Sequence, residues 1–244
     1  MKLDETWASS LDDDDFSAAR AFAVTSDRRR VPTRFDLARE LTAGQSVLHV
    51  GCVDHLPLID DKIAAGTWMH EVLTRSAARC GGIDVNAEGI EQLRERGYGD
   101  LYVGDVSNPS DELLADGWGL LFLGEILEHT DDPIGFLRGI RESWGTSVDR
   151  VIVTVPNALA WSTLRGATHS VEVINTDHRF WFTPFTMAKV ATRAGFRVEA
   201  LHMCEAFPEN PAAGKASLVR QKALNAVLAR RPIFQSCVVV ELAP

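Results

Sequence analysis

The chemistry-bearing residues of this chain stand at the ends of short apolar runs. Asp84 closes one in GGIDVN, Asp105 another in LYVGDV, and Glu125 a third in LLFLGE. An ionised carboxylate only accepts hydrogen bonds, through two oxygens, so an acid placed like Asp84 can take both hydroxyls of a ribose diol. Asp105 follows Gly104, where the missing side chain lets a ligand approach the backbone, and its carboxylate suits the exocyclic amine of adenine. Each acid alone is equally explained as the cap of a following helix. Three in succession point instead to an adenosine-containing ligand. A dinucleotide or a triphosphate would need a glycine-rich phosphate cradle, and neither G-x-G-x-x-G nor G-x-x-x-x-G-K-[ST] occurs. The first turn reads Gly51-Cys52-Val53-Asp54-His55, so the expected ligand carries no phosphates.

A second cluster follows at once. Glu125, Glu128 and His129 form an E-x-x-E-H string. On a helix entered at Glu125 the three share one face, and two carboxylates with an imidazole suit a divalent ion. The same pattern also serves without metal, the glutamates capping a helix. Of the other histidines, His49 and His202 lie within apolar strands and are expected in the core. For His55 and His70 a structural role and a place in the site lining stay equally open.

The elements that must position these groups alternate between two periods. Strands are predicted at 46–50, 81–85, 100–106, 120–125, 151–156, 197–203 and 237–243. Between them helical spacing covers 66–80, 87–97, 111–117, 132–145, 183–196 and 215–231, with a further helix at 35–41 stopped by Gly44. Such alternation predicts a doubly wound α/β fold, a mainly parallel sheet with helices on both faces. In such sheets the ligand lies outside the carboxyl ends of the strands. The connection from Asn157 to Phe182 is long and without periodicity, and with Trp161, His169, His178, Phe180 and Trp181 it is expected to act as a lid or acceptor wall.

Composition bounds the rest. Hydrophobic residues make up 45% and charged residues 24% of the 244 positions, which is globular and not disordered composition. The net charge of −9 opposes broad binding to a phosphate backbone. The charge runs Asp12–Asp15 and Arg28–Arg30 are expected on a solvated surface. No apolar run approaches the ~20 residues of a bilayer span, and the N-terminal stretch has no apolar signal region, so no membrane partner and a cytoplasmic protein are expected. The four cysteines, Cys52, Cys80, Cys204 and Cys237, lie far apart beside apolar segments and are expected as buried thiols.

Taken in order, the motifs resemble those of class I S-adenosylmethionine-dependent methyltransferases. SVLHVGC is similar to the first nucleotide-binding motif, GGIDVN to the ribose turn, and GDV to the adenine turn. FLGEILEHTDDP resembles the fourth motif of the ubiquinone-biosynthesis O-methyltransferase type, and VIVTVPNA with DHRFWFTPFTMAKVATRAGF its later segments. The resemblance implies a seven-stranded Rossmann-like sheet with an antiparallel last strand, a leader or cap over 1–40, and a methyltransferase domain over 41–244. It implies S-adenosyl-L-methionine as cofactor, with Gly51 against the methionine part, Asp84 on the ribose, Asp105 on the adenine amine and Val106 giving a backbone contact to the ring. Gly124 flanks the sulfonium, and Arg34 is expected at the cofactor carboxylate. The departure is the first turn, where relatives read G-C-G-x-G and this chain has Val53 and His55. Related polysaccharide-cluster methyltransferases share a similar G-C-V-D-H start, with a tryptophan–histidine pair downstream.

Small-RNA 3′-end methyltransferases resemble the E-x-x-E-H pattern too, with a histidine after the Pro-Asn strand as fourth ligand. This implies Glu125, Glu128, His129 and His178 for Mg²⁺ or another divalent cation, with His169 a weaker match. Without metal, His129 or His178 is the expected general base. The expected activity is O-methylation of a small hydroxylated metabolite: a sugar, a polysaccharide precursor or a natural-product intermediate. N- or C-methylation stays open, nucleic acid is disfavoured as acceptor, and a homodimer is compatible with the chain. The alternative from another class is a catalytically silent methyltransferase-like scaffold that binds a partner, favoured by Val53 and His55. A nicotinamide dehydrogenase is disfavoured by the missing phosphate loop.

Overall fold

The computed structural model describes residues 1–11, 16–208 and 215–244. The acidic run Asp12–Asp15 lies outside the described residues. The elements in chain order are α1 (Glu5–Leu11), α2 (Arg34–Thr42), β1 (Ser46–Val50), α3 (Ile59–Ala65), α4 (Met69–Ser76), β2 (Arg79–Asp84), α5 (Ala87–Glu95) and β3 (Leu101–Val103). They continue with α6 (Asp111–Ala115), β4 (Leu120–Gly124), α7 (Pro133–Trp144), β5 (Arg150–Pro156) and α8 (Trp161–Ala167). Last come α9 (Pro184–Arg193), β6 (Arg197–Cys204), α10 (Lys215–Arg230) and β7 (Cys237–Ala243).

The seven strands form one sheet in the order β3-β2-β1-β4-β5-β7-β6. The pairs from β3 to β5 are parallel, and β7 runs antiparallel to both β5 and β6. This is the expected doubly wound sheet with its antiparallel last strand. The central strands β1, β4 and β5 are buried along most of their length because helices cover both faces. In β4, Leu121 and Leu123 join the larger core cluster, while Leu120 and Phe122 join a second one. Alternate side chains of a strand point to opposite faces, so a run of four buried residues feeds two cores at once.

Sequence signals set most helix starts. Thr33 caps α2 through the backbone N–H of Asp36, whose carboxylate returns the bond. Thr183 with Pro184 opens α9, and Asp132 with Pro133 opens α7.

The segment expected as one helix over 66–80 divides. α4 ends at Ser76, and Arg79 and Cys80 are drawn into β2 by parallel pairing with Ser46 and Val47. Strand pairing outweighs weak helical periodicity here. Three short helices, α1, α3 and α8, were not expected; each has only seven residues, too few for a periodic signal. The loop after Asn157 is therefore interrupted by α8.

The boundary at 40/41 falls inside α2. Residues ahead of it pack on the sheet domain: Trp7 and Leu11 are buried in the main core. The Trp7 ring meets those of Phe22 and Phe185 at 5.0 and 5.9 Å. Met1 also exchanges backbone bonds with Leu201 on the edge strand β6. No helix among the described residues is long and apolar enough to cross a membrane.

Candidate functional site

Strand order reverses at β1, which lies between β2 and β4, and the carboxyl ends there open onto a cavity of about 670 Å³. A ligand crevice forms at such a point because the flanking connections depart to opposite faces. Gly51, Asp84, Gly124, Glu125 and Arg34 all line it.

Gly51 takes a left-handed φ of 70°, and its N–H donates to the Ile83 carbonyl at 2.9 Å. A side chain on it would begin 3.0 Å from Ile126. The backbone conformation favours glycine there, and a side chain would displace Ile126. The departure at Val53 has a structural answer. Val53 is turned down into the core at 2% exposure, and its methyls fill the space above Gly89 on α5, 2.3 Å from where a Cβ would stand. Asp54 adopts φ 53°. Its carboxylate takes Lys62 and the His55 ring, and His55 itself points outward.

Asp84 braces this turn. One carboxylate oxygen accepts from the Val53 N–H at 3.0 Å and the other from the Asn86 N–H at 2.9 Å. About half of its lone-pair sites remain for a ligand in the cavity. Asp105 and Val106 lie outside the cavity lining. The Asp105 carboxylate accepts from the N–H and hydroxyl of Ser107. Val106 is buried, and its carbonyl accepts from the Trp144 indole at 2.8 Å.

The E-x-x-E-H string does not form an α-helix at Glu125. That residue takes φ 57°, a costly conformation for a non-glycine residue, held because its N–H donates to the Thr154 carbonyl and hydroxyl. A single tight turn, Leu127–His129, follows. Glu125 stays outside the close group that Glu128 joins. Its carboxylate instead takes the Thr154 hydroxyl at 3.0 Å, the Cys237 thiol at 3.5 Å and the Arg34 guanidinium at 3.3 Å. Arg34 is itself sandwiched between the Phe35 and Phe207 rings.

Glu128, His129 and His178 do converge, with one ligand atom of each within 4.8 Å of the others. Glu128 is fully buried, and neither carboxylate oxygen has a hydrogen-bond partner among the described residues. Burial, and then the charge of Glu125, push its carboxyl up to about 9. His178 reaches the group from the long connection because the backbone there is tied down: the N–H groups of Arg179 and Phe180 donate to the Glu128 carbonyl. The Arg179 side chain bonds the His129 carbonyl and pairs with Asp131. The His129 and His178 rings meet edge-to-face at 4.7 Å. Burial, then the neighbouring His129, lower the His178 pKa, and its Nδ1 is without a partner among the described residues. His169 lies apart, bonding the Arg165 carbonyl at the end of α8.

One group of the site went unnoticed in the sequence. Asp177 pairs with His129 Nδ1 at 3.3 Å; its place beside His178 in TDHR was the available signal. His70, left open there, is buried against His49, and nothing in their spacing announces the pairing. His55 lines the cavity mouth. His202 bonds Glu241 in the outer sheet, and Cys52, Cys204 and Cys237 are buried thiols, with Cys80 half-buried.

The sequence matches no protein-family model and no curated protein. Solved structures match by shape. A SAM-dependent methyltransferase from Archaeoglobus fulgidus superposes with a TM-score of 0.50 at 15% identity, over 86% of this chain and 94% of its own. The small RNA methyltransferase HEN1 gives 0.55 at 15% identity, over 93% of this chain and 27% of its own. A chain in the complex of the Haloferax volcanii Trm112 methyltransferase activator with a methyltransferase gives 0.50 at 16%, over 85% and 87%. The fold is thus the Rossmann-like methyltransferase fold.

Proposed function

We propose that the protein is an S-adenosylmethionine-dependent methyltransferase acting on a hydroxyl of a small metabolite, assisted by a divalent cation. One observation carries this reading: the bare backbones of Gly51 and Gly124, the Asp84 carboxylate and the Glu128–His129–His178 group all face a single cavity at the sheet's switch point. Asp84 keeps lone pairs for a ribose diol, and the two glycines let a thioether approach the strand ends. Arg34 offers a cation at the cavity wall for a ligand carboxylate, in exchange for part of its pairing with Glu125. Asp105 and Val106 are kept as adenine contacts, at the end of β3.

The donor set fits a cation. A buried carboxylate with no partner is costly unless something fills its lone pairs, and two imidazole nitrogens stand beside it. Glu128, His129 and His178 would hold the ion, with Glu125 close enough in sequence to join if released from Arg34. A bound divalent cation supplies charge that lowers the pKa of an acceptor hydroxyl. Where no cation is bound, His129 or His178, the latter held toward its neutral form by burial, takes the hydroxyl proton as the methyl group passes from sulfur to oxygen. The acceptor is a sugar, polysaccharide precursor or natural-product intermediate, admitted along the wall of Asn175, Asp177 and Arg179. The inward packing of Val53 and the outward turn of His55 count against a silent scaffold.

Calorimetric titration with S-adenosylhomocysteine tests the cofactor, with micromolar binding expected; no binding at millimolar ligand refutes it. Titration with Mn²⁺ tests the cation. Binding heat that disappears in Glu128→Ala supports it, and equal heat in that variant overturns it.

A further inference from the structure

The chain segment that carries His178 brings a second group to the same cluster. Residues 168–177 are all exposed, and His178 is the first of the segment to be half-buried. Apolar burial therefore does not hold this stretch, and its place is set by polar contacts with the Leu127–His129 turn. The N–H groups of Arg179 and Phe180 donate to the Glu128 carbonyl at 2.6 and 3.3 Å. The Arg179 guanidinium donates to the His129 carbonyl and pairs with Asp131 at 2.8 Å. These bonds deliver Asp177 as well as His178, and the Asp177 carboxylate comes to 3.3 Å from His129 Nδ1.

His129 thus stands between two carboxylates. Its Nδ1 faces Asp177, and its Nε2 lies 4.0 Å from an oxygen of the buried Glu128. An ionised carboxylate only accepts, so a bond to Asp177 needs the ring proton on Nδ1. The lone pair of the neutral ring is then on Nε2, toward the group formed with Glu128 and His178. The other tautomer would set two acceptors against each other at Asp177 and put a proton on the inward nitrogen. His178 is under no such constraint. Its Nε2 lies 3.2 Å from the Asn175 side-chain amide, which donates or accepts according to its rotation. Asp177 dictates a tautomer; Asn175 does not.

We propose that Asp177 is a positioning residue: its carboxylate holds His129 with the proton on Nδ1 and so keeps Nε2 bare for a divalent cation in the Glu128–His129–His178 group. The inference rests on the cation-assisted reading above. An imidazole whose outer N–H is bonded to a carboxylate is fixed in orientation and made more basic, and both effects strengthen it as a ligand. Asp177 and His178 lie side by side on one exposed stretch. A single segment therefore supplies one ligand and prepares another, and its docking on the Leu127–His129 turn completes the donor set in one step.

Two readouts test this on the full chain. Nitrogen-15 NMR of the metal-free protein at slightly alkaline pH reads the tautomer without any ligand, with His129→Gln used to assign the signal. The wild type is expected to show His129 protonated on Nδ1 and bare at Nε2. Asp177→Ala should lose that preference, and Asp177→Asn, whose amide oxygen can still accept, should keep it. In calorimetry Mn²⁺ should bind Asp177→Ala about 10-fold more weakly than wild type, the lower end for the outer partner of a ligating histidine because the pair is exposed. Asp177→Asn should recover part of that loss. Wild-type protein that binds no Mn²⁺ overturns the cation-assisted reading and this inference with it. Mn²⁺ binding by the wild type that is unchanged in Asp177→Ala, or weakened equally in Asp177→Asn, overturns the role of Asp177 alone. So does a His129 signal with its proton on Nε2 or on both nitrogens.

Discussion

Val53 and Gly89 make a packing exchange that can be measured. Val53 stands in the first turn, where the sequence resemblance would have placed a glycine. Its Cγ1 and Cγ2 lie 2.3 and 3.0 Å from the position of a Cβ on Gly89, so the helix has given up a side chain to seat the valine. Gly89→Ala gains about 1 kcal/mol of helix propensity. It also forces a methyl into occupied space, at a cost of about 1–3 kcal/mol. We expect a net loss of stability of about 0–2 kcal/mol. Val53→Ala removes two buried carbons from a cluster with Ile59, Trp68 and Ile90, which costs about 2 kcal/mol once the cavity is included. In the double variant the new methyl occupies part of the vacated volume, and the clash is gone. It should therefore be no less stable than Val53→Ala alone, with a coupling of at least ~1 kcal/mol. Urea denaturation at constant m-value is the assay. The same series should move S-adenosylhomocysteine affinity, because the Val53 N–H anchors Asp84: weaker in Gly89→Ala, recovered in the double variant. Single costs that add to within ~0.5 kcal/mol would refute the exchange.

Three further outcomes follow from the same geometry. Burial lowers the folded pKa of His70 to about 4 from an ordinary 6.5, opposed by Glu71, while Asp54 opposes the same effect at His49. The folded state therefore binds fewer protons than the unfolded chain, and stability is full above pH ~6.5 and falls by up to about 3 kcal/mol as pH drops to ~4. Urea midpoints measured across that range should flatten in His70→Phe, and an unchanged slope would count against a buried neutral pair. Asp84→Ala should cost S-adenosylhomocysteine affinity at least ~10-fold by calorimetry, since both the diol acceptor and the brace of the first turn are lost. Trp7→Ala should cost about 3–5 kcal/mol, because the ring is fully buried against Phe22 and Phe185; a loss under ~1 kcal/mol would mean that the N-terminal helix does not dock on the domain.

Sequence by itself determined the layered architecture. Apolar runs such as SVLHV and VIVTVP are too short for helices and too apolar for one-sided strands, so burial on both faces, and with it the parallel sheet, follows from local pattern alone. The same pattern marks the strand ends, and Gly51, Asp84 and Glu125, which follow or close three of those runs, line the cavity. Other features depended on distant partners. The bend at Glu125 is held by Thr154 on the neighbouring strand, so an i, i+3, i+4 spacing in the sequence did not become a shared helix face. His178 meets Glu128 only because the chain after Asn157 is bonded back onto the Leu127–His129 turn. The tolerance of Val53 depends on Gly89, on another element, and the His49–His70 pair on the docking of α4 beside β1. Periodicity reports which face of an element is buried; what that face meets is decided by packing and hydrogen bonds between elements far apart in the chain.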